Sequence, residues 1–103
     1  MHQNISTMDL QEILKTGNYT LIDVREPIEL EMDGKFEEAI NIPLGEIEGR
    51  LNEIKNISNH KILFCRSGGR SASAVQFLQN NNINDVSNGG GFGFLNMLMG
   101  NQN

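Results

Sequence analysis

The stretch KILFCRSGGRS, residues 61–71, joins a short apolar run to a loop rich in glycine and arginine. The run KILFC has the length and the composition of a buried β-strand. Apolar residues continue beyond the loop at the spacing of a helix, at Ala72, Ala74, Val75 and Leu78. The stretch therefore predicts a strand, a tight loop and a helix, with Cys65 at the carboxyl end of the strand.

Outward from this unit, the same patterning predicts further helices and strands in alternation. The first helix is expected to open with a capping box formed by Ser6 and Asp9. Helices are expected at residues 7–15, within 27–39, at 44–57 and at 92–99. Strands are expected at residues 19–24, 39–43 and 85–87, followed by a turn at the glycines 89–91.

Strands that alternate with helices indicate an α/β fold, because parallel neighbouring strands need crossover connections. We expect one domain over residues 1–103, with helices on both faces of a parallel sheet. In open sheets of this kind, ligands bind beyond the carboxyl ends of the strands. Cys65 is expected at such an end, which makes it the first candidate for a functional residue.

The composition limits the classes of partner. The 103 residues are 38% hydrophobic and carry a formal net charge of -5, which is unfavourable for binding nucleic acid or anionic lipid. No apolar run reaches the roughly 18 residues of a membrane span, and residues 1–7 lack the pattern of a signal peptide. We therefore expect a cytoplasmic monomer with neither a membrane nor a nucleic-acid partner.

Metals and nucleotide cofactors are not expected. Cys65 is the only cysteine, which excludes an internal disulfide, a CxxC pair and a cysteine-based zinc cluster. His2 and His60 lack neighbours at ligand spacing, and the glycines of residues 89–93 do not complete a dinucleotide-binding GxGxxG motif. The prediction is that the protein has no metal site and no cofactor.

The loop after Cys65 has the features that stabilise an anionic sulfur. Its backbone N–H groups and the N-terminus of the following helix present partial positive charge, and two guanidiniums add full charge. The sequence contains no acidic residue between Glu53 and Asp85, which favours small anions near the loop. We expect Cys65 to be a nucleophile with a lowered pKa. The candidate substrate-binding residues are Arg66, Ser67, Gly68, Gly69, Arg70 and Ser71.

Three segments resemble the rhodanese family of single-domain sulfurtransferases, in the family's order along the chain. LIDVREP at 21–27 resembles its DVRE strand end, AINIPL at 39–44 its GAxNIPL segment, and CRSGGRS at 65–71 its CxxGxRS active-site loop. Two segments depart from the family pattern. DGKFEE at 33–38 lacks the histidine of the usual GHIxGA, and GGFGFL at 90–95 lacks the tryptophan of the usual GGxxxW.

The resemblance implies a five-stranded parallel sheet flanked by helices and a thiosulfate sulfurtransferase activity. In such an enzyme Cys65 takes sulfur as a persulfide from thiosulfate or a similar sulfur-oxyanion donor. It then passes the sulfur to an acceptor such as cyanide or a thiol, including a protein thiol. The resemblance also suggests that Asp23 and Arg25 support the active-site loop by ion pairing and hydrogen bonds.

Two alternatives remain open. A cysteine-dependent phosphatase or arsenate reductase also uses a thiolate in an oxyanion-binding loop. Phosphatase loops, however, hold one residue more than the four between Cys65 and Arg70, and arsenate reduction usually calls on a further thiol. The second alternative is a rhodanese-like module that only binds a partner, although such modules commonly lose the cysteine.

Overall fold

The computed structural model describes residues 7–100. The helices are α1 (Thr7–Thr16), α2 (Pro27–Asp33), α3 (Leu51–Lys55), α4 (Gly69–Asn80) and α5 (Phe92–Gly100), with a short 3-10 helix at Leu44–Glu46. The strands are β1 (Tyr19–Asp23), β2 (Ile40–Asn41), β3 (His60–Cys65) and β4 (Val86–Gly91). The predicted capping residue Ser6 lies outside the described residues.

The strands form one parallel sheet in the order β2-β1-β3-β4. The α/β class and the parallel sheet are confirmed. The expectation of five strands is wrong for residues 7–100, which contain these four. Within the described residues, the segment before β1 forms α1 and the segment after β4 forms α5, and neither adds a strand to the sheet.

Helices cover both faces of the sheet, as predicted. Alternate residues of β3 serve the two faces, because successive side chains of a strand point in opposite directions. Ile62 and Phe64 pack in one buried cluster with residues of α1 and α5. Leu63 and Cys65 pack in the other, with residues of α3 and α4. Cys65 is therefore anchored in the core on the side of the sheet that α4 covers.

The glycines at 89–91 belong to β4, and the prediction of a turn there is wrong. A side chain at Gly89 would place its Cβ 2.8 Å from Cγ2 of Ile62. The strand can lie this close to β3 only because the side chain is missing. These glycines serve close packing rather than a reversal of the chain.

The predicted helix at 44–57 is divided. The 3-10 helix ends at Glu46, and α3 begins only at Leu51 after a residue, Arg50, whose backbone is not helical (φ -112°, ψ 24°). Ile47 and Ile54 are nevertheless buried in the core. The apolar spacing in this segment therefore reflects burial against the sheet and not one continuous helix.

Of the predicted strand at 39–43, only Ile40 and Asn41 form regular strand pairs with β1. Beyond Asn41, the N–H groups of Ile42 and Leu44 still donate to carbonyls of Asp23 and Val24, at 2.9 and 3.0 Å. The chain thus stays alongside β1 until Pro43 precedes the 3-10 helix. Across residues 7–100, none of the helices is both long and apolar enough to cross a membrane.

Candidate active site

Cys65 is the last residue of the central strand β3, and its side chain is 1% exposed. The chain curls around its sulfur. The Gly68 N–H donates to Sγ at 3.0 Å, and the Ser71 N–H donates at 3.4 Å. The Ser71 hydroxyl lies 3.5 Å from the same sulfur. The predicted backbone cradle is therefore present around Cys65.

Two opposing effects set the ionisation of the sulfur. Burial acts to raise the pKa of the Cys65 thiol. Hydrogen bonds from the Ser71 hydroxyl and from the N–H groups of Ser71, Gly68 and Ser67 act in the other direction, and the net pKa lies below the ordinary value. The direction agrees with the sequence-based prediction, but the principal lowering groups are hydrogen-bond donors of the loop rather than the two arginines.

The curl of the loop depends on Gly68, which caps α4 with a left-handed backbone (φ 102°). A Cβ at this position would also lie 3.3 Å from Cα of Gly90. On the other side, a Cβ at Gly91 would lie 2.5 Å from the carbonyl oxygen of Arg66. The end of β4 is thus packed against the loop backbone, a contact that sequence reasoning missed.

Arg70 points to α2. Its guanidinium donates two hydrogen bonds to the Glu29 carboxylate, at 2.7 and 2.8 Å. The hydrogen bond from Arg70, followed by one from the Glu26 backbone, lowers the pKa of Glu29 to about 2. Hydrogen bonding to Glu29 raises the pKa of Arg70 above its ordinary range, and the charge of Cys65 contributes in the same direction.

Sequence reasoning did not single out Glu29. The signal that could have found it is the spacing of Glu26 and Glu29 around Pro27, since these two glutamates form a capping box at the start of α2. The box fixes the first turn of α2 and leaves the Glu29 carboxylate within reach of both the Glu26 N–H (2.9 Å) and Arg70.

Arg66 is 70% exposed, and its guanidinium lies 3.4 Å from Asp33 at the end of α2. The acid-free stretch of sequence around the loop therefore does not produce an unopposed basic surface. Glu29 and Asp33 are far from the loop in sequence, but their carboxylates pair with the two loop arginines, Glu29 with Arg70 and Asp33 with Arg66. Arg66 remains the more available of the two cations.

Asp23 and Arg25 form an ion pair with each other, and both side chains are buried. Arg25 donates to both carboxylate oxygens of Asp23, the shortest contact being 2.7 Å, and to the carbonyl of Gly34 at 2.9 Å. Its guanidinium carbon lies 4.5 Å from the centre of the Phe92 ring. These described contacts join the end of β1 to the segment after α2 and to the start of α5. The pair supports the surroundings of the loop rather than the loop itself.

Asn88 is a second residue that sequence reasoning missed. It lies on β4, and its side-chain amide hydrogen-bonds Gly68, Ser71 and Gly90. Of the other predicted residues, Ser67 contributes an N–H group to Cys65, and Gly69 is the first residue of α4. Among residues 7–100 there is no cluster of three His, Cys, Asp or Glu side chains that could hold a metal ion.

Comparison with known proteins identifies the family. The model of the rhodanese-like domain matches residues 6–95. The chain belongs to the rhodanese-like domain family. A sulfurtransferase of Allochromatium vinosum is 31% identical over 78 residues, which cover 76% of this chain and 71% of that protein.

Solved structures share this rhodanese-like fold. A rhodanese-related protein of Thermoplasma volcanium is 34% identical, with a TM-score of 0.72 over 93% of this chain and 92% of that chain. A Rhodopseudomonas palustris protein described as a possible tyrosine phosphatase has a TM-score of 0.74 over 92% of this chain and 80% of that chain. Its identity of 24% shows a common fold alone.

Proposed function

We propose that this rhodanese-like protein is a sulfurtransferase that moves sulfane sulfur from thiosulfate or a similar donor to a thiophilic acceptor. The observation that carries the proposal is the pair of backbone N–H groups, of Gly68 and Ser71, that donate to Sγ of Cys65, with the Ser71 hydroxyl 3.5 Å from the same sulfur. Such donors stabilise a sulfur anion at the end of a central strand. The Allochromatium vinosum relative, which is named a sulfurtransferase, supports the same activity.

The reaction proceeds in two half-reactions. In the first, the Cys65 thiolate attacks the outer sulfur of thiosulfate, the sulfur–sulfur bond of the donor breaks, and sulfite leaves with the electron pair. In the second, the acceptor attacks the terminal sulfur of the Cys65 persulfide, and the thiolate is restored. With cyanide the product is thiocyanate. Because the enzyme is covalently modified between the two steps, ping-pong kinetics are expected.

The loop residues have distinct roles in this proposal. Cys65 is the nucleophile, and the N–H groups of Ser67, Gly68 and Ser71 stabilise its anion and that of the persulfide. Gly69 opens α4, so the helix N-terminus also faces the loop. Arg66 attracts the anionic donor, because it is exposed and only loosely paired. Arg70 holds the loop against α2 through Glu29.

Loop length favours sulfur over phosphate chemistry. Four residues lie between Cys65 and Arg70, and the sulfur is enclosed by hydrogen bonds as short as 3.0 Å. A phosphoryl group is larger than a single sulfur atom and needs a wider ring of donors. We therefore expect no measurable hydrolysis of aryl phosphates, and Cys65-dependent turnover of such esters would favour the phosphatase alternative.

Steady-state transfer of sulfur from thiosulfate to cyanide tests the proposal. The wild-type protein is expected to form thiocyanate with parallel double-reciprocal plots when both substrates are varied. Cys65→Ser is expected to fold and to lose the activity. An activity of Cys65→Ser near the wild-type rate would remove Cys65 from the mechanism. No turnover in the wild type would reject thiosulfate and cyanide as its substrate pair.

A further inference from the structure

Asn88 connects β4 to the loop that surrounds Cys65. Its Nδ2 donates to the carbonyl oxygen of Gly68 at 3.2 Å. Its Oδ1 accepts a hydrogen bond from the Ser71 hydroxyl at 2.7 Å and another from the Gly90 N–H at 2.9 Å. The amide orientation is fixed by these partners, because a carbonyl can only accept and a backbone N–H can only donate.

The two loop residues held by Asn88 are the ones that contact the sulfur. Gly68 and Ser71 donate their N–H groups to Sγ of Cys65. The Ser71 hydroxyl also lies beside the sulfur, and its one proton can reach either Sγ or Oδ1 of Asn88. Ser71 is fully buried, so no solvent molecule replaces a lost partner without a change in packing. A movement of either residue changes the number of donors that face the sulfur.

An irregularity in β4 directs the Asn88 side chain to this position. Leu63 pairs with Asn88, but the next residue, Phe64, pairs with Gly90, so Gly89 is left out of the regular register. Bulges of this kind re-aim side chains and occur next to active sites. Gly90 completes the irregularity with a positive φ of 83°, and its N–H holds Oδ1 of Asn88.

We propose that Asn88 is a positioning residue for the sulfur anion: it holds Gly68 and Ser71 so that their backbone N–H groups stay directed at Cys65. It touches neither the sulfur nor a substrate in the described contacts, and it acts through these two residues. The proposal concerns the ionisation of Cys65 and does not depend on which group the sulfur attacks. It therefore stands or falls separately from the proposed sulfur transfer.

Charged groups around the loop are common to all variants in the test. Arg70 lies on α4 and is held by Glu29 of α2, Arg66 lies in the loop near Asp33, and Arg25 is paired within the core. Replacement of Asn88 by alanine removes none of these charges. A change in the titration of Cys65 then reports on the hydrogen-bond donors.

Asn41 provides a matched control. It is also a half-buried asparagine at the carboxyl edge of the sheet, and its Nδ2 donates to the carbonyls of Asp23 and Arg25, both at 2.9 Å. Asn41→Ala therefore removes a comparable bridge between backbone carbonyls without touching Gly68 or Ser71. Both alanine variants are expected to lower the unfolding temperature.

The experiment follows the ultraviolet absorbance of the thiolate against pH in the full chain, in which Cys65 is the only cysteine. A Ser71 hydroxyl released from Asn88 could turn its one proton to the sulfur. Asn88→Ala is therefore compared in a Ser71→Ala background, in which only the hold on Gly68 and Gly90 is lost. Relative to Ser71→Ala, we expect the double variant to have a higher titration midpoint and a rate of alkylation by iodoacetamide at neutral pH that is about two- to tenfold lower, the effect of losing one hydrogen bond. Asn41→Ala is expected to keep the wild-type midpoint. If Asn88→Ala does not fold, Asn88→Ser is judged by the same criterion.

In the Ser71→Ala background, a midpoint for Asn88→Ala, or for its serine substitute, that equals the Ser71→Ala value or lies below it would overturn the proposal. An equal upward movement in Asn41→Ala would do the same, because the effect would then belong to general destabilisation. Thiolate absorbance and alkylation do not involve thiosulfate. The role of Asn88 is therefore tested independently of the proposed sulfur transfer.

Discussion

The Arg70 guanidinium and the Glu29 carboxylate form a two-bonded ion pair that joins the Cys65 loop to α2. These residues are 41 positions apart in sequence. Two parallel hydrogen bonds to one carboxylate fix the plane of the guanidinium, which a single hydrogen bond would leave free to rotate. The pair therefore makes the first turn of α2 a structural support of the loop, and it removes Arg70 from the set of free cations.

Glu29→Gln tests this support. The lowered pKa of Glu29, about 2 against an ordinary value of 4.5, means that the carboxylate stabilises the fold fully above about pH 4.5. The stabilisation is lost as the pH falls from there through the folded-state value of about 2. Because the pair is partly exposed, we expect Glu29→Gln to cost about 1 kcal/mol at neutral pH. Urea unfolding at several pH values measures the difference.

The control for this prediction is Glu48→Gln, at an exposed glutamate between the 3-10 helix and α3. The stability gap between wild type and Glu29→Gln should close as the pH is lowered toward 2, whereas Glu48→Gln should follow the wild type throughout. A gap that stays constant with pH would show that the Glu29 charge is not the origin of the stabilisation.

Arg66→Ala tests how the anionic donor is attracted. Arg66 is exposed and only weakly paired with Asp33, so we expect its loss to lower kcat/KM for thiosulfate about three- to tenfold with little loss of stability. The difference from wild type should shrink at high salt, because exposed charges are screened. Arg50→Ala is the control, since Arg50 pairs with Glu46 and Glu53 away from the loop. If Arg66→Ala and Arg70→Ala both stay within twofold of wild type, backbone groups alone hold the anion.

Gly91→Ala tests the close contact between β4 and the loop. The added Cβ would lie 2.5 Å from the Arg66 carbonyl oxygen, which belongs to the backbone and cannot rotate away. We expect a loss of about 1–3 kcal/mol of stability and a larger loss of sulfur transfer, because the loop itself must shift. Gly93→Ala is the control, since a Cβ there meets nothing within 4 Å and the residue lies in α5. Equal unfolding temperatures for the two variants would contradict the described packing.

Ser71→Ala tests the contribution of the hydroxyl to the sulfur anion. The hydroxyl is a leading group among those that lower the pKa of Cys65, so its removal should raise that pKa while leaving the backbone donors in place. The thiolate absorbance measured across pH should therefore rise at a higher pH. Ser73→Ala, at an exposed serine of the same helix, should leave the titration unchanged. A lower midpoint in Ser71→Ala would mean that the hydroxyl accepts rather than donates at the sulfur.

The strand–loop–helix unit around Cys65 could be predicted from sequence, because its strand pattern, its glycines and its helical spacing lie within residues 61–78. The strands β1, β2 and β3 could also be predicted from short apolar runs, whereas only the start of β4 was predicted, because its second half is glycine. The contacts of Glu29 and Asn88 could not be predicted in this way. Glu29 contacts Arg70, 41 positions away, and Asn88 contacts Ser71, 17 positions away. These residues meet only because the tertiary fold places their segments side by side.

The glycines at 89–91 show the same limit. As a sequence they are typical of a turn, since glycine supplies the positive φ that turns need. Gly90 does adopt a positive φ, but within a strand, and Gly91 is required by the carbonyl of Arg66 on a neighbouring segment. Glycine is needed at these positions because of tertiary contacts, which cannot be predicted from the local sequence.

The intact mass of the protein after incubation with thiosulfate and removal of excess donor tests the central claim most directly. The account predicts that the wild type gains the mass of one sulfur atom, that cyanide or a thiol removes it, and that Cys65→Ser gains nothing. A wild-type mass that never changes under these conditions, or a gain of sulfur that persists in Cys65→Ser, would contradict a Cys65 persulfide formed from thiosulfate.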